Sequence, residues 1–186
     1  MWARRLPAAL AVALALAACS TSGGSKAVDL PSASGGGTFA LSSTAFSDGG
    51  PIPARFTCDG QSLPPRLTWA FDGQPAEFVL VMTDPDAPGG VFVHWVMYGI
   101  PPNAADVGEG QGPPGARQGL NGSGQLGYAA PCPPAGDTPH HYVFTLYAVS
   151  QPKTSSIGSG ATLEQVVGRI SCCIEATATL TGTYGR

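Results

Sequence analysis

The sequence predicts a mainly β fold, and three observations carry that prediction. Glycine and proline are abundant, with 26 and 18 in 186 residues, which points to many turns. Short runs of aromatic and β-branched residues recur between Gly/Pro/Asn/Asp clusters. Only one segment carries helical periodicity.

The elements follow in chain order. Arg4 and Arg5 precede an apolar stretch, Leu6 to Leu16, that ends in Leu16-Ala17-Ala18-Cys19. Eleven apolar residues are too few to cross a membrane as a helix, so residues 1–18 read as a signal peptide. The Leu-Ala-Ala-Cys ending resembles the bacterial lipobox, which implies cleavage before Cys19 and acylation of its thiol. That places the protein in the cell envelope, lipid-anchored on the extracytoplasmic side. Residues 19–38 are rich in Ser, Gly and Ala and read as a flexible tether. The folded domain is expected over residues 39–186.

Five runs are predicted as strands: 66–71, 77–83, 91–100, 142–149 and 178–184. The run 78–82 is apolar on both faces and suggests a central strand. A helix is expected around 163–175, where Leu163, Val166, Val167, Ile170 and Ile174 form one apolar stripe. Thr162 and Gln165 have the spacing of a capping box at its start. Residues 101–127 read as a long loop, a kind of segment that is often functional.

Charge narrows the function. Removal of the leader takes Arg4 and Arg5, leaving seven cationic residues against twelve acidic ones, a net −5. An acidic chain with scattered cations offers nucleic acid no footprint. It also lacks a polybasic patch, so membrane attachment falls to the lipid on Cys19. Cys58, Cys132, Cys172 and Cys173 allow three pairings in an oxidising compartment. Cys172 and Cys173 are not expected to bond each other, because the ring would strain the peptide between them. Cys58–Cys132 is the favoured pairing, with four free or partly buried thiols as the alternative.

Three clusters are candidates for chemistry. Asp84-Pro-Asp-Ala-Pro88 follows an apolar strand, and a carboxylate at a strand end sits at a rim. Alone it reads as a plain turn. His94 lies inside the run 91–100, where parity groups it with Phe92, Val96 and Tyr98 and suggests a core histidine with a satisfied hydrogen bond. Gly127-Tyr-Ala-Ala-Pro-Cys-Pro-Pro134 precedes His140-His-Tyr142, in which His140 and Tyr142 share one face of a strand.

Taken with Phe46-x-Asp48-Gly49, Ile52-Pro53, Phe56-Thr57-Cys58-Asp59-Gly60, Pro65-x-Leu67-x-Trp69, Asn121-x-x-Gly124 and Leu180-Thr-Gly-Thr-Tyr184, these clusters form an ordered set. The set resembles the phosphatidylethanolamine-binding protein family, in its bacterial Raf-kinase-inhibitor-like (YbhB/YbcL-type) branch. The resemblance implies a two-sheet antiparallel β-sandwich with a small anion-binding pocket at one end. It implies pocket walls of Asp84, Asp86, Pro88, His94, Ala130, Cys132, His140 and Tyr142, and a cis peptide at Ala87–Pro88. The expected partner is a small anion or a phospholipid head group. Donors to the anion would be protonated His94 or His140, the Tyr142 hydroxyl and backbone N–H groups, with Asp84 orienting a histidine and raising its pKa.

Two departures from the family pattern stand out. Ala130 replaces a common glycine, and a methyl there narrows the expected pocket. His141 replaces a common arginine, so a brace made through that arginine would be missing.

A second function class, inhibition of a protease or kinase, would use an envelope protein as partner. A third, a hydrolase or metal site built on Asp84, Asp86, His94 and His140, lacks a nucleophile elbow and an H-x-x-x-H spacing. The expectation is therefore a non-enzymatic binding protein with no catalytic residue, cofactor or metal.

Overall fold

The computed structural model describes residues 30–31, 38–110 and 112–186. The leader and Cys19 lie outside the described residues. The domain is a two-sheet antiparallel β-sandwich. One sheet has three strands in the order β1-β2-β5, namely Phe39–Ser43, Leu67–Phe71 and Asp106–Val107. The other has five, in the order β6-β4-β3-β7-β8. These span Arg117–Gln118, Phe92–Ile100, Glu77–Asp84, His140–Val149 and Ile174–Tyr184. A single turn of 3-10 helix covers Ala54–Phe56.

Hydrophobicity explains the layering. β3 is buried along its whole length and lies at the centre of the larger sheet, as its two apolar faces require. Its even-numbered residues, Leu80 and Met82, join Leu41, Trp69 and Phe144 between the sheets. Its odd-numbered residues, Val79 and Val81, join Tyr147, Leu163, Val166 and Ile170 on the outer face, where α1 (Leu163–Ile170) packs. β8 turns Ala176, Ala178 and Leu180 inward. Gly182 continues that face because a Cβ there would lie 2.5 Å from Ile52 Cγ1.

Several expectations are corrected. α1 ends at Ile170, short of the expected 175. Its capping box is present, with Gln165 N–H donating to the Thr162 hydroxyl and Thr162 N–H to the Gln165 side chain. Ile174, which continues the helical stripe in sequence, instead opens β8 and pairs with Val149. Cys172 and Cys173 are joined in a vicinal disulfide in the turn between them, contrary to the expectation from ring strain. The turn accommodates it, with Cys173 N–H capping the Ile170 carbonyl and the Cys173 carbonyl accepting from Ser150. The Ala87–Pro88 peptide is trans, as are all the described peptide bonds. Here the Asp84 side chain shapes the turn by accepting Asp86 N–H at 2.8 Å. Leu30, inside the stretch read as tether, packs partly buried against the outer cluster.

Candidate functional site

A cavity of about 260 Å³ opens at one end of the sandwich. Its polar end is built by three adjacent strands of the larger sheet. Asp84 closes β3, His94 sits on β4, and His140 and Tyr142 begin β7. All four are buried.

His94 reaches this cavity through a β-bulge. Thr83 pairs with Val93 and Met82 with Trp95, which leaves His94 as the extra residue. A bulge places two successive side chains on one face and re-aims the strand. His94 therefore stands beside Phe92 and Tyr142, with ring centroids 4.8 and 5.1 Å away. Val96 and Tyr98, with which simple alternation grouped it, lie on the opposite face of the sheet.

The hydrogen bonds have clear directions. Asp84 Oδ1 accepts from Asp86 N–H at 2.8 Å, and Asp84 Oδ2 from His140 Nδ1 at 2.8 Å. His94 Nδ1 lies 2.7 Å from the Ala129 carbonyl, which can only accept, so Nδ1 carries the ring proton. His94 Nε2 then faces Asp84 Oδ2 at 4.0 Å. Burial pushes the His94 pKa below the ordinary histidine value, outweighing the opposing pulls of the Ala129 carbonyl and Asp84. That direction works against His94 as the cationic donor of the expected pair, His94 or His140. Burial also raises the Tyr142 pKa, so its hydroxyl keeps its proton. That hydroxyl is fully buried and has no hydrogen-bond partner within the described residues.

The remaining walls are mostly apolar: Pro88, Phe92, Ala130, Pro133 and Pro134, with Cys132. Cys132 is bonded to Cys58. Two hydrogen bonds add to this clamp, Cys58 N–H to the Pro131 carbonyl at 3.0 Å and Tyr128 O–H to the Phe56 carbonyl at 2.8 Å. The proline-rich segment is thus fixed to the loop before β2.

Seven of the eight residues implied by the resemblance line this cavity. The eighth, Asp86, lies on a neighbouring shallow depression formed with residues 136–141. Its Oδ2 accepts from both the backbone N–H of His141, at 2.8 Å, and the His141 ring Nδ1, at 2.7 Å. The backbone N–H first, and then the ring, hold the Asp86 carboxyl below the usual carboxylate range. His141 therefore supplies a brace between the Asp84–Pro88 turn and β7, where the sequence comparison led us to expect none.

Sequence reasoning missed Ala87, Phe92, Ser123 and Ala129 as lining residues. The signal for Ser123 was Asn121. Its buried side chain accepts from the N–H groups of Ser123 and Gln125 and donates to the Gly127 carbonyl, which folds the turn over the cavity. Among the described residues, no group of three or more His, Cys, Asp or Glu side chains is placed to hold a metal ion.

Residues 42–185 match the family model described as phosphatidylethanolamine-binding protein. The chain belongs to that family. It is 42% identical over 144 residues to LppC of Mycobacterium tuberculosis, named as a lipoprotein, covering 77% of this chain and 71% of that one. It is 42% identical over 154 residues to a UPF0098 protein of Methanothermobacter thermautotrophicus, covering 78% and 98% of the two chains. The crystal structure of CT736 from Chlamydia trachomatis, described as a homologue of phosphatidylethanolamine-binding protein, is similar with a TM-score of 0.74. The identity is 37%, over 80% of this chain and 98% of that one. Escherichia coli YbcL matches equally well in fold, with a TM-score of 0.74 at 29% identity and the same coverage. The cavity remains open with Ala130 in its wall, and His141 stands outside it as the brace to Asp86.

Proposed function

We propose that this protein is a non-enzymatic binding protein for a small phosphate-type anion, presented as free phosphate, a phosphoryl head group or a phosphorylated partner. The observation that carries this reading is the unpartnered Tyr142 hydroxyl beside the buried Asp84–His140 pair, at the polar end of an otherwise apolar cavity. A buried hydroxyl without an acceptor costs about 1–3 kcal/mol. A ligand oxygen would recover that cost, and the apolar walls would strengthen each polar contact by excluding water.

Calorimetric titration of the purified mature protein with phosphoryl-ethanolamine tests the reading. Saturable binding at one site is expected. Tyr142→Phe should weaken it about tenfold while leaving the unliganded fold no less stable, because only the ligand uses the hydroxyl. If neither phosphate nor phosphoryl-ethanolamine binds, the reading is wrong.

Localisation belongs to the same proposal. The lipobox-like ending at Cys19 and the similarity to a protein named as a lipoprotein both support anchoring by acyl chains on the extracytoplasmic side. Cys19→Ala should move the protein from the membrane fraction to the soluble or unprocessed pool, as fractionation and immunoblotting would reveal. Unchanged membrane retention of a processed Cys19→Ala chain would refute lipid anchoring.

A further inference from the structure

We propose that the Cys172–Cys173 disulfide is a thiol–disulfide exchange site, a two-electron couple that a dithiol reduces while Cys58–Cys132 stays closed. The site is independent of the anion cavity. Cys173 precedes Ile174, which pairs with Val149, whereas the cavity end of the same two strands is His140 with Tyr184. The length of β8 separates the two sites by about 30 Å.

The two disulfides differ in what they hold. Cys58 and Cys132 are 74 residues apart, so their bond removes freedom from a long unfolded loop. Cys172 and Cys173 are neighbours, and their bond encloses no intervening residue. Stabilisation by cross-linking grows with the length of chain enclosed. This bond therefore ties together nothing that the peptide between the two cysteines does not already hold. Adjacent cysteines also close the smallest ring a cystine can form, because one peptide fixes their Cα atoms 3.8 Å apart. An exposed bond in a constrained ring belongs to the labile, exchangeable kind.

The surroundings accept both redox states. Hydrogen bonds hold the turn without the disulfide. Cys173 N–H donates to the Ile170 carbonyl at 2.8 Å, and the Cys173 carbonyl accepts from the Ser150 N–H at 2.9 Å and from its hydroxyl at 3.1 Å. Cys172 is exposed, and its Sγ lies 3.8 Å from the Arg169 carbonyl, an acceptor the thiol can use once it carries a proton. Cys173 packs partly buried against the apolar outer cluster, where a thiol sits as a small hydrophobe.

Exposure sets the order of bond changes. One thiolate of the dithiol attacks Cys172 Sγ and forms a mixed disulfide. The Cys172–Cys173 bond breaks, and Cys173 leaves with the electron pair and takes a proton from water. The second thiolate of the dithiol then attacks the dithiol's own bonded sulfur and closes its disulfide. Cys172 leaves in turn and is protonated. Two electrons have passed from the dithiol to the protein.

Purified mature protein, equilibrated in buffers of graded reduced-to-oxidised dithiothreitol, quenched with an alkylating reagent and mapped by mass spectrometry, tests the assignment. Cys172 and Cys173 should be half alkylated at a ratio at least about tenfold lower than Cys58 and Cys132 require. Opening of both disulfides at one ratio, or of Cys58–Cys132 first, would overturn the inference. So would alkylation of Cys172 or Cys173 before any reductant is added, because the couple would then be open at rest. Cys172→Ser/Cys173→Ser should remove the early wave of reduction and leave the melting temperature within about 1 °C of the wild type. A drop of several degrees would make the bond a structural tie and overturn the inference as well.

Discussion

Replacing Cys58 and Cys132 together by alanine is expected to lower the unfolding free energy by about 4 kcal/mol. The two cysteines are 74 residues apart, and their bond spans β2, β3, β4 and the short strands β5 and β6. In the chain-entropy account, closing a loop of that length removes much of the unfolded chain's freedom, hence the size of the effect. Few other groups tie these segments directly. The Cys58 N–H bond to the Pro131 carbonyl and the Tyr128 bond to Phe56 would remain, so the native fold should persist in the variant. For a domain of this size the melting temperature should drop by roughly 10 °C. Urea denaturation of the wild type and the double variant checks the free energy. A loss under about 1 kcal/mol would show that this bond restrains little. Ligand affinity should fall less steeply than stability, because Cys132 contributes a wall and no polar contact to the cavity.

Much of the fold was legible in the sequence, and the exceptions share a physical cause. β3 was readable because burial on both faces forces an unbroken apolar run. The start of α1 was readable because Thr162 and Gln165 act locally on the first turn. Its end was not, because Ile174 satisfies a helical stripe and a strand face equally, and only pairing with Val149 decides between them. His94 is the instructive case at the site. Strand alternation groups it with Val96 and Tyr98, which lie on the outer face, and the bulge between Val93 and Trp95 puts it on the inner one. A bulge depends on how two strands register, and one strand's sequence does not encode that. By contrast, a strand end put Asp84 at a rim and shared parity put His140 beside Tyr142, and the family resemblance joined the two. At position 141, bracing does not require an arginine. The structure uses a backbone N–H for half of that contact, and any residue at position 141 carries one.

His140→Ala is expected to destabilise the fold by about 3 kcal/mol and to abolish phosphate binding. The His140 ring donates to Asp84 Oδ2, and both side chains are buried, so truncation strands a carboxylate in a low-dielectric site. Asp86 N–H would still serve Oδ1, which limits the damage but leaves Oδ2 with the His94 lone pair as its nearest polar neighbour. Removing the carboxylate as well should recover part of the loss. The double variant His140→Ala/Asp84→Ala is therefore expected to be less destabilised than the two single variants summed, by about 1–3 kcal/mol of coupling. Urea denaturation of all four proteins measures that coupling directly. Strict additivity would mean that the two side chains stabilise the fold independently, and the buried hydrogen bond would lose its role as the support of the site. Binding should respond differently. The double variant regains stability without regaining phosphate affinity, because the Asp84 carboxylate and the His140 ring are both gone. Phosphate binding by the wild type that is lost in a double variant with its fold retained would mark Asp84 and His140 as parts of a ligand site, rather than of a core that happens to be polar.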